Sequence, residues 1–126
     1  MIRYFKVQEE EERMRRIVRL LKMEHIDLNK VRVIGSTGSK SRAIARIWPI
    51  PRAVSYAFDL GTLYTIELIW ERYYVLGDDD KDKVMIHELL HIPGKFSGGL
   101  RPHGKKVNQR EVNKLFRQLK EIKDLS

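Results

Sequence analysis

At 126 residues the chain is long enough to bury one hydrophobic core and too short for two, so any active site must be built on a single domain spanning residues 1–126. The absence of cysteine excludes disulfides, thiolate metal sites and a cysteine nucleophile, which leaves imidazole and carboxylate to hold any metal. Lys and Arg number 25 against 17 Asp and Glu, a net charge of +8; the charge is spread along the chain as a solvated surface, with a clear basic excess in the C-terminal third.

Met1-Ile2-Arg3-Tyr4 runs into the acidic stretch Glu9 to Glu12 without an apolar signal core, and no segment is long enough to span a bilayer, so a soluble cytoplasmic protein is expected. From Gln8 to His25 the apolar residues Met14, Ile17, Val18 and Leu21 recur at helical spacing, with acids at the start and bases later. This predicts an amphipathic first helix with its charges matched to the helix dipole. Val31 to Ile34 alternates like a strand, and Gly35-Ser36-Thr37-Gly38-Ser39 reads as a hairpin turn. Gly35-x-x-Gly38-Ser39-Lys40 lacks the full spacing of a phosphate-cradling loop. Arg42 to Trp48 alternates again until Pro49 and Pro51 interrupt it, and Val54 to Phe58 and Leu63 to Ile69 give two further strand-like runs.

Asp78-Asp79-Asp80 offers N-cap candidates and first-turn acids for a helix over about 81–92, which Pro93-Gly94 ends. Lys95 to Gly104, with three glycines and Pro102 before its final glycine, is a loop. The last helix runs from about Val107 to Lys123 and carries Val112, Leu115, Phe116, Leu119 and Ile122 on one face.

The segment that carries chemistry is Val84 to Ile92, which contains His87-Glu88-Leu89-Leu90-His91. Six of its nine residues are apolar, so the helix is expected to lie in the core, where three ionisable side chains need a partner that offsets their desolvation. Residues four apart stack on one helix face, so His87 and His91 are placed to hold one zinc ion, with Glu88 beside the metal as a general acid and base. A catalytic zinc takes a third protein ligand and keeps an open position. Two candidates are available: His103 in the glycine-rich loop, and Glu111 near the start of the last helix. His103 is preferred, because Glu111 has an alternative role as an exposed helix residue paired with Lys114.

His87-Glu88-Leu89-Leu90-His91-Ile92-Pro93, followed by Gly98-Gly99-Leu100-Arg101-Pro102-His103, resembles the phage metallopeptidase family, whose members also occur in archaea. The likeness extends back through Ala45-Arg46-Ile47 and Tyr64 to Leu68. The third histidine followed by glycine is also similar to Spartan-type proteases. The resemblance implies His87, His91 and His103 as zinc ligands, Glu88 as acid/base and a peptide or protein substrate. The expected fold is α+β, a minimal zincin: an N-terminal helix and the motif helix packed on a small, mixed, three- to four-stranded sheet, closed by a C-terminal helix. The strand over Leu63 to Ile69 is expected to lie along the cleft and pair with extended substrate. Tyr73 or Tyr74 is a minor candidate for contact with the developing oxyanion. The alternative from another class is a basic nucleic-acid-associated protein with a structural zinc, using Arg101, Lys105, Lys106, Arg110 and Lys114 against phosphate.

Overall fold

The computed structural model describes residues 1–125. Strand β1 (Arg3–Lys6) leads directly into helix α1 (Gln8–Leu20); a 3-10 turn (Leu28–Lys30) then opens strand β2 (Val31–Thr37). Strand β3 (Ala45–Pro49), helix α2 (Arg52–Phe58), strand β4 (Tyr64–Ile69), helix α3 (Trp70–Tyr73), helix α4 (Asp78–Leu90) and helix α5 (Gln109–Asp124) follow. The architecture is α+β, as the sequence predicts, and the sheet is mixed and four-stranded in the order β1-β2-β4-β3. β1 lies antiparallel to β2, β2 parallel to β4, and β3 antiparallel to β4.

Side-chain alternation divides the sheet into two faces. Val31, Val33, Ile47, Tyr64, Ile66 and Leu68 form one buried cluster with Met14 and Ile17 of α1, Met85, Ile86 and Leu89 of α4, and Val112 and Leu119 of α5. The helices therefore cover one face. The residues between these positions, among them Arg32, Ile34, Ser36, Thr65, Glu67, Arg46 and Trp48, belong to the other face. β4 is central because it is the most apolar run: Ile66, Glu67 and Leu68 are fully buried, and a strand covered on both faces belongs inside a sheet.

Three sequence expectations are corrected here. Val54 to Phe58 is not a strand but α2, every residue of which is at least partly exposed. Its alternation of bulky and small side chains mimics a strand, but its backbone bonds locally, with the Ser55 N–H on the Pro51 carbonyl at 3.0 Å, and Asp59 ends it in the left-handed conformation at φ 54°, one that Asp tolerates. Gly35 to Ser39 is not a hairpin turn. Gly35, Ser36 and Thr37 extend β2, and β3 pairs with β4 rather than with β2. Gly35 is needed inside the strand, since a Cβ there would collide with the Phe5 ring. The first helix ends at Leu20, not His25, with Lys22 at positive φ (53°) just beyond.

α1 and α4 are tied by charge as well as packing. Arg13, 11% exposed, donates to Glu10 at 2.8 Å and to the fully buried Asp82 at 2.7 Å; Lys123 of α5 reaches the other Asp82 oxygen at 2.6 Å. The Tyr73 hydroxyl donates to Glu10. This network fixes the base of α4, the helix that carries the histidine motif.

Candidate metal centre

α4 begins at Gly77, with Asp78, Asp79 and Asp80 in its first turn where the helix dipole favours anions; none of the three supplies a side-chain cap. The C-terminal half is wedged between the sheet and α5, with Met85, Ile86 and Leu89 fully buried. His87, Glu88 and His91 come from this half. His91 is 8% exposed and Glu88 6%, whereas His87 is half-buried.

Beyond the helix the chain turns back on itself. Gly98 and Gly99 adopt positive φ (90° and 68°), a backbone that side-chain-bearing residues rarely take. The buried Tyr64 of β4 donates its hydroxyl to the Gly99 carbonyl at 2.9 Å. The Arg101 N–H donates to the His91 carbonyl at 2.7 Å, and the Arg101 carbonyl accepts from His91 Nδ1 at 2.6 Å. This pair of bonds clips the loop to the end of α4. Two residues later His103 reaches the motif, with its Nε2 only 3.0 Å from His87 Nε2.

His87, His91 and His103 thus converge, each offering one ring nitrogen within 4.8 Å of the others. Two nitrogens bound tetrahedrally at ~2.1 Å from zinc stand about 3.4 Å apart, a separation bracketed by the 3.0 Å between His87 and His103 and the 4.8 Å that encloses all three. Bonding of His91 Nδ1–H to a carbonyl leaves Nε2 as the lone-pair donor, the orienting arrangement characteristic of metal-bound histidine. Burial, with the neighbouring charges of His91 and His103, lowers the His87 pKa and favours the neutral imidazole that a metal requires. By donor type, spacing and tautomer, the three histidines fit a divalent ion.

Glu88 faces the same region without joining the cluster. Burial alone raises its carboxyl pKa to about 7; a cation placed beside it would draw that value down. A cleft of about 360 Å³ opens over the cluster, lined by Ala45, Arg46 and Ile47 of β3 together with His87, Glu88, His91, Leu100 and His103. The strand beside the cleft is therefore β3, whose outer edge is free, and not the run Leu63 to Ile69, which lies inside the sheet. The length and apolarity of that run mark a central strand, and an edge strand along a cleft needs neither.

The remaining candidates fall outside the cluster. Glu111 lies in the first turn of α5, where its N–H is capped by the Asn108 side chain at 2.9 Å. Tyr73 is fully buried and bonded to Glu10, and Tyr74 stacks on Trp70. Neither tyrosine lines the cleft. Sequence reasoning missed the Arg101 main-chain clip and the Tyr64 hydroxyl anchor. A tyrosine at the start of a strand expected to be buried was the available hint of the latter, since a buried phenol needs an acceptor.

Among the described residues no helix is long and apolar enough to cross a membrane. Neither the curated proteins nor the solved structures include a match to the chain. The sequence profile described as "Putative phage metallopeptidase" matches residues 2–123, almost the whole length over which the fold and its histidine cluster are built, and the chain belongs to that family.

Proposed function

We propose that the protein is a zinc metallopeptidase in which His87, His91 and His103 hold the metal and Glu88 is the general acid and base. The observation that carries this reading is the meeting of three imidazoles from a helix and a distant loop beside a buried carboxylate. Zinc bound there would polarise an amide carbonyl and make water acidic enough to attack it near neutral pH.

The chain's own residues supply the rest. Glu88, one residue round the helix from His87, accepts the proton of the attacking water and returns it to the departing amine nitrogen. Its burial among apolar neighbours excludes bulk water, so the carboxylate is not already solvated when it takes the proton. His91, held by the Arg101 carbonyl, keeps one ring orientation throughout, and with it the alignment of the cluster. β3 borders the cleft with an unpaired edge, and its free N–H and C=O groups suit pairing with an extended peptide. A peptide or protein substrate follows from that edge together with the family.

The test is Glu88→Gln, assayed on an unfolded protein substrate beside metal analysis of the same preparation. Zinc is expected to stay at one equivalent while hydrolysis falls by at least about a hundredfold, the usual worth of a positioned acid/base. Undiminished hydrolysis with zinc in place would remove Glu88 from the mechanism.

A further inference from the structure

The sheet face turned away from the helices carries two exposed aromatic side chains, Trp48 and Tyr4, to which the peptidase reading gives no role. Trp48 of β3 is 49% exposed and Tyr4 of β1 is 60% exposed. By register Tyr4 lies opposite Ser36, while Lys6, Ile34, Glu67 and Arg46 follow one another across the four strands, and Arg32, Thr65 and Trp48 form the next row. The two aromatic rings therefore stand on either side of the Lys6–Ile34–Glu67–Arg46 row, with the exposed Lys6 on the outer strand β1 and the exposed Arg32 on β2, beyond the end of its pairing with β1.

Trp48 is not loose. Its Nε1–H donates to Glu67 Oε1 at 2.7 Å, and the Arg46 guanidinium both pairs with Glu67 at 2.9 Å and lies over the indole 5.0 Å from its centroid. Ser36 completes the set by donating to the other Glu67 oxygen at 2.5 Å. A fully buried carboxylate thus holds a half-exposed indole in one orientation. The only acid in this array is hidden beneath its own partners, so the outward charge is positive. Residues 30–58, which include β2 and β3, contain six cations (Lys30, Arg32, Lys40, Arg42, Arg46 and Arg52) and no Asp or Glu.

An indole held in one orientation and an exposed phenol ring, set among cations, suit a ligand made of flat rings on a polyanionic backbone. We propose that this open face binds single-stranded nucleic acid, with bases stacking on Trp48 and Tyr4 and phosphates meeting Lys6 and Arg32. A duplex hides its base faces and is bound less well, because phosphate contact alone would leave the aromatic rings unused.

The experiment is fluorescence anisotropy of short labelled oligothymidylate, oligouridylate and a duplex of equal length, measured over a range of salt with the full chain. Single strands are expected to bind more tightly than the duplex, and more weakly as salt rises; a preference for uridylate identifies RNA as the ligand, and one for thymidylate identifies DNA. Trp48→Ala should weaken binding about tenfold, while Trp48→Phe, which keeps a stacking ring, recovers most of it. Lys6→Glu combined with Arg32→Gln, checked for an unchanged circular dichroism spectrum because the Arg32 guanidinium also donates to the carbonyls of Leu28, Asn29 and Val31, should weaken binding at least as much and flatten the salt dependence. With Trp70→Phe leaving Trp48 as the sole tryptophan, single strands should quench its emission. Equal affinity for duplex, unchanged affinity in the Lys6/Arg32 double variant, or loss of binding only on Lys105→Glu with Lys106→Glu would overturn the proposal.

Discussion

Two residues downstream of the motif helix carry side chains suited to a third metal ligand, and their surroundings separate them. His103 stands with its Nε2 3.0 Å from that of His87. Glu111 occupies the third position of α5, where Asn108 caps its N–H and its acid complements the helix dipole. Replacing His103 by Ala is expected to cut zinc affinity more than the roughly 10- to 100-fold that loss of an outer hydrogen-bond partner brings. Glu111→Ala should keep one zinc per chain after dialysis. Metal analysis of both variants decides the matter, and zinc lost only from the Glu111 variant would transfer the role. His87, Glu88 and His91 were legible in the sequence because four-residue spacing on a helix is fixed geometry, as is the apolar context that buries them. His103 was legible only as one of two candidates. Its approach depends on two left-handed glycines, a tyrosine hydroxyl from β4 and a main-chain clip to His91, none of which leaves a periodic trace.

At the scale of elements, what was legible followed from burial on one face, and what was missed followed from pairing. α1, α4 and α5 each announce an apolar stripe or core. The order of the strands is set instead by which run can be covered on both sides, and that placed β4 inside and β3 at the edge. β1 was missed because its four residues are mostly exposed. Its pairing with β2 stops at Lys6, and the Val33 N–H is then taken by the Glu11 side chain of α1 at 2.9 Å, so the shortness of the strand is compensated by the helix it feeds. The junction before α5 is similarly economical. Asn108 accepts from the Glu111 N–H and donates to the carbonyls of Gly104 and Lys105, immediately after His103. Loss of such a cap costs about 1 kcal/mol, so Asn108→Ala should lower the melting temperature by about 4 °C. Because the same side chain holds the two residues that follow His103, zinc affinity should fall as well, which calorimetric titration would show. A melting change without any change in affinity would mean that the cap steadies α5 alone.

Across the whole molecule, two buried ionic networks join elements far apart in sequence, and they respond differently to challenge. Arg13 bridges α1 to α4 through Asp82, and burial, which would otherwise weaken its charge, is outweighed by bonds to Asp82, Asp78 and Glu10, so its pKa rises. Arg13→Ala strips the buried Glu10 and Asp82 of their shared cation and should cost about 3 kcal/mol, within the range for a broken buried pair, seen as a lower urea midpoint. Glu67 governs the sheet. Burial alone would raise its carboxyl pKa, but the bonds from Arg46, Ser36 and Trp48 together hold it below the usual 4.5. Between that folded value and 4.5 the unfolded chain binds more protons than the native one, so stability climbs with pH. The contribution of Glu67 is therefore complete above about pH 4.5 and drains away as the pH falls through its folded pKa. Glu67→Gln keeps the shape and removes the charge; it should destabilise the protein at pH 7 by about 2 kcal/mol, the scale of lost hydrogen bonds to a charged group. At an acid pH that falls through this folded pKa the wild type loses the same charge, so the gap between the two urea midpoints should narrow there. A gap of equal size at both values would show that the neutral carboxyl holds Arg46 and Trp48 as well as the carboxylate does, and that acid unfolds this sheet through other groups.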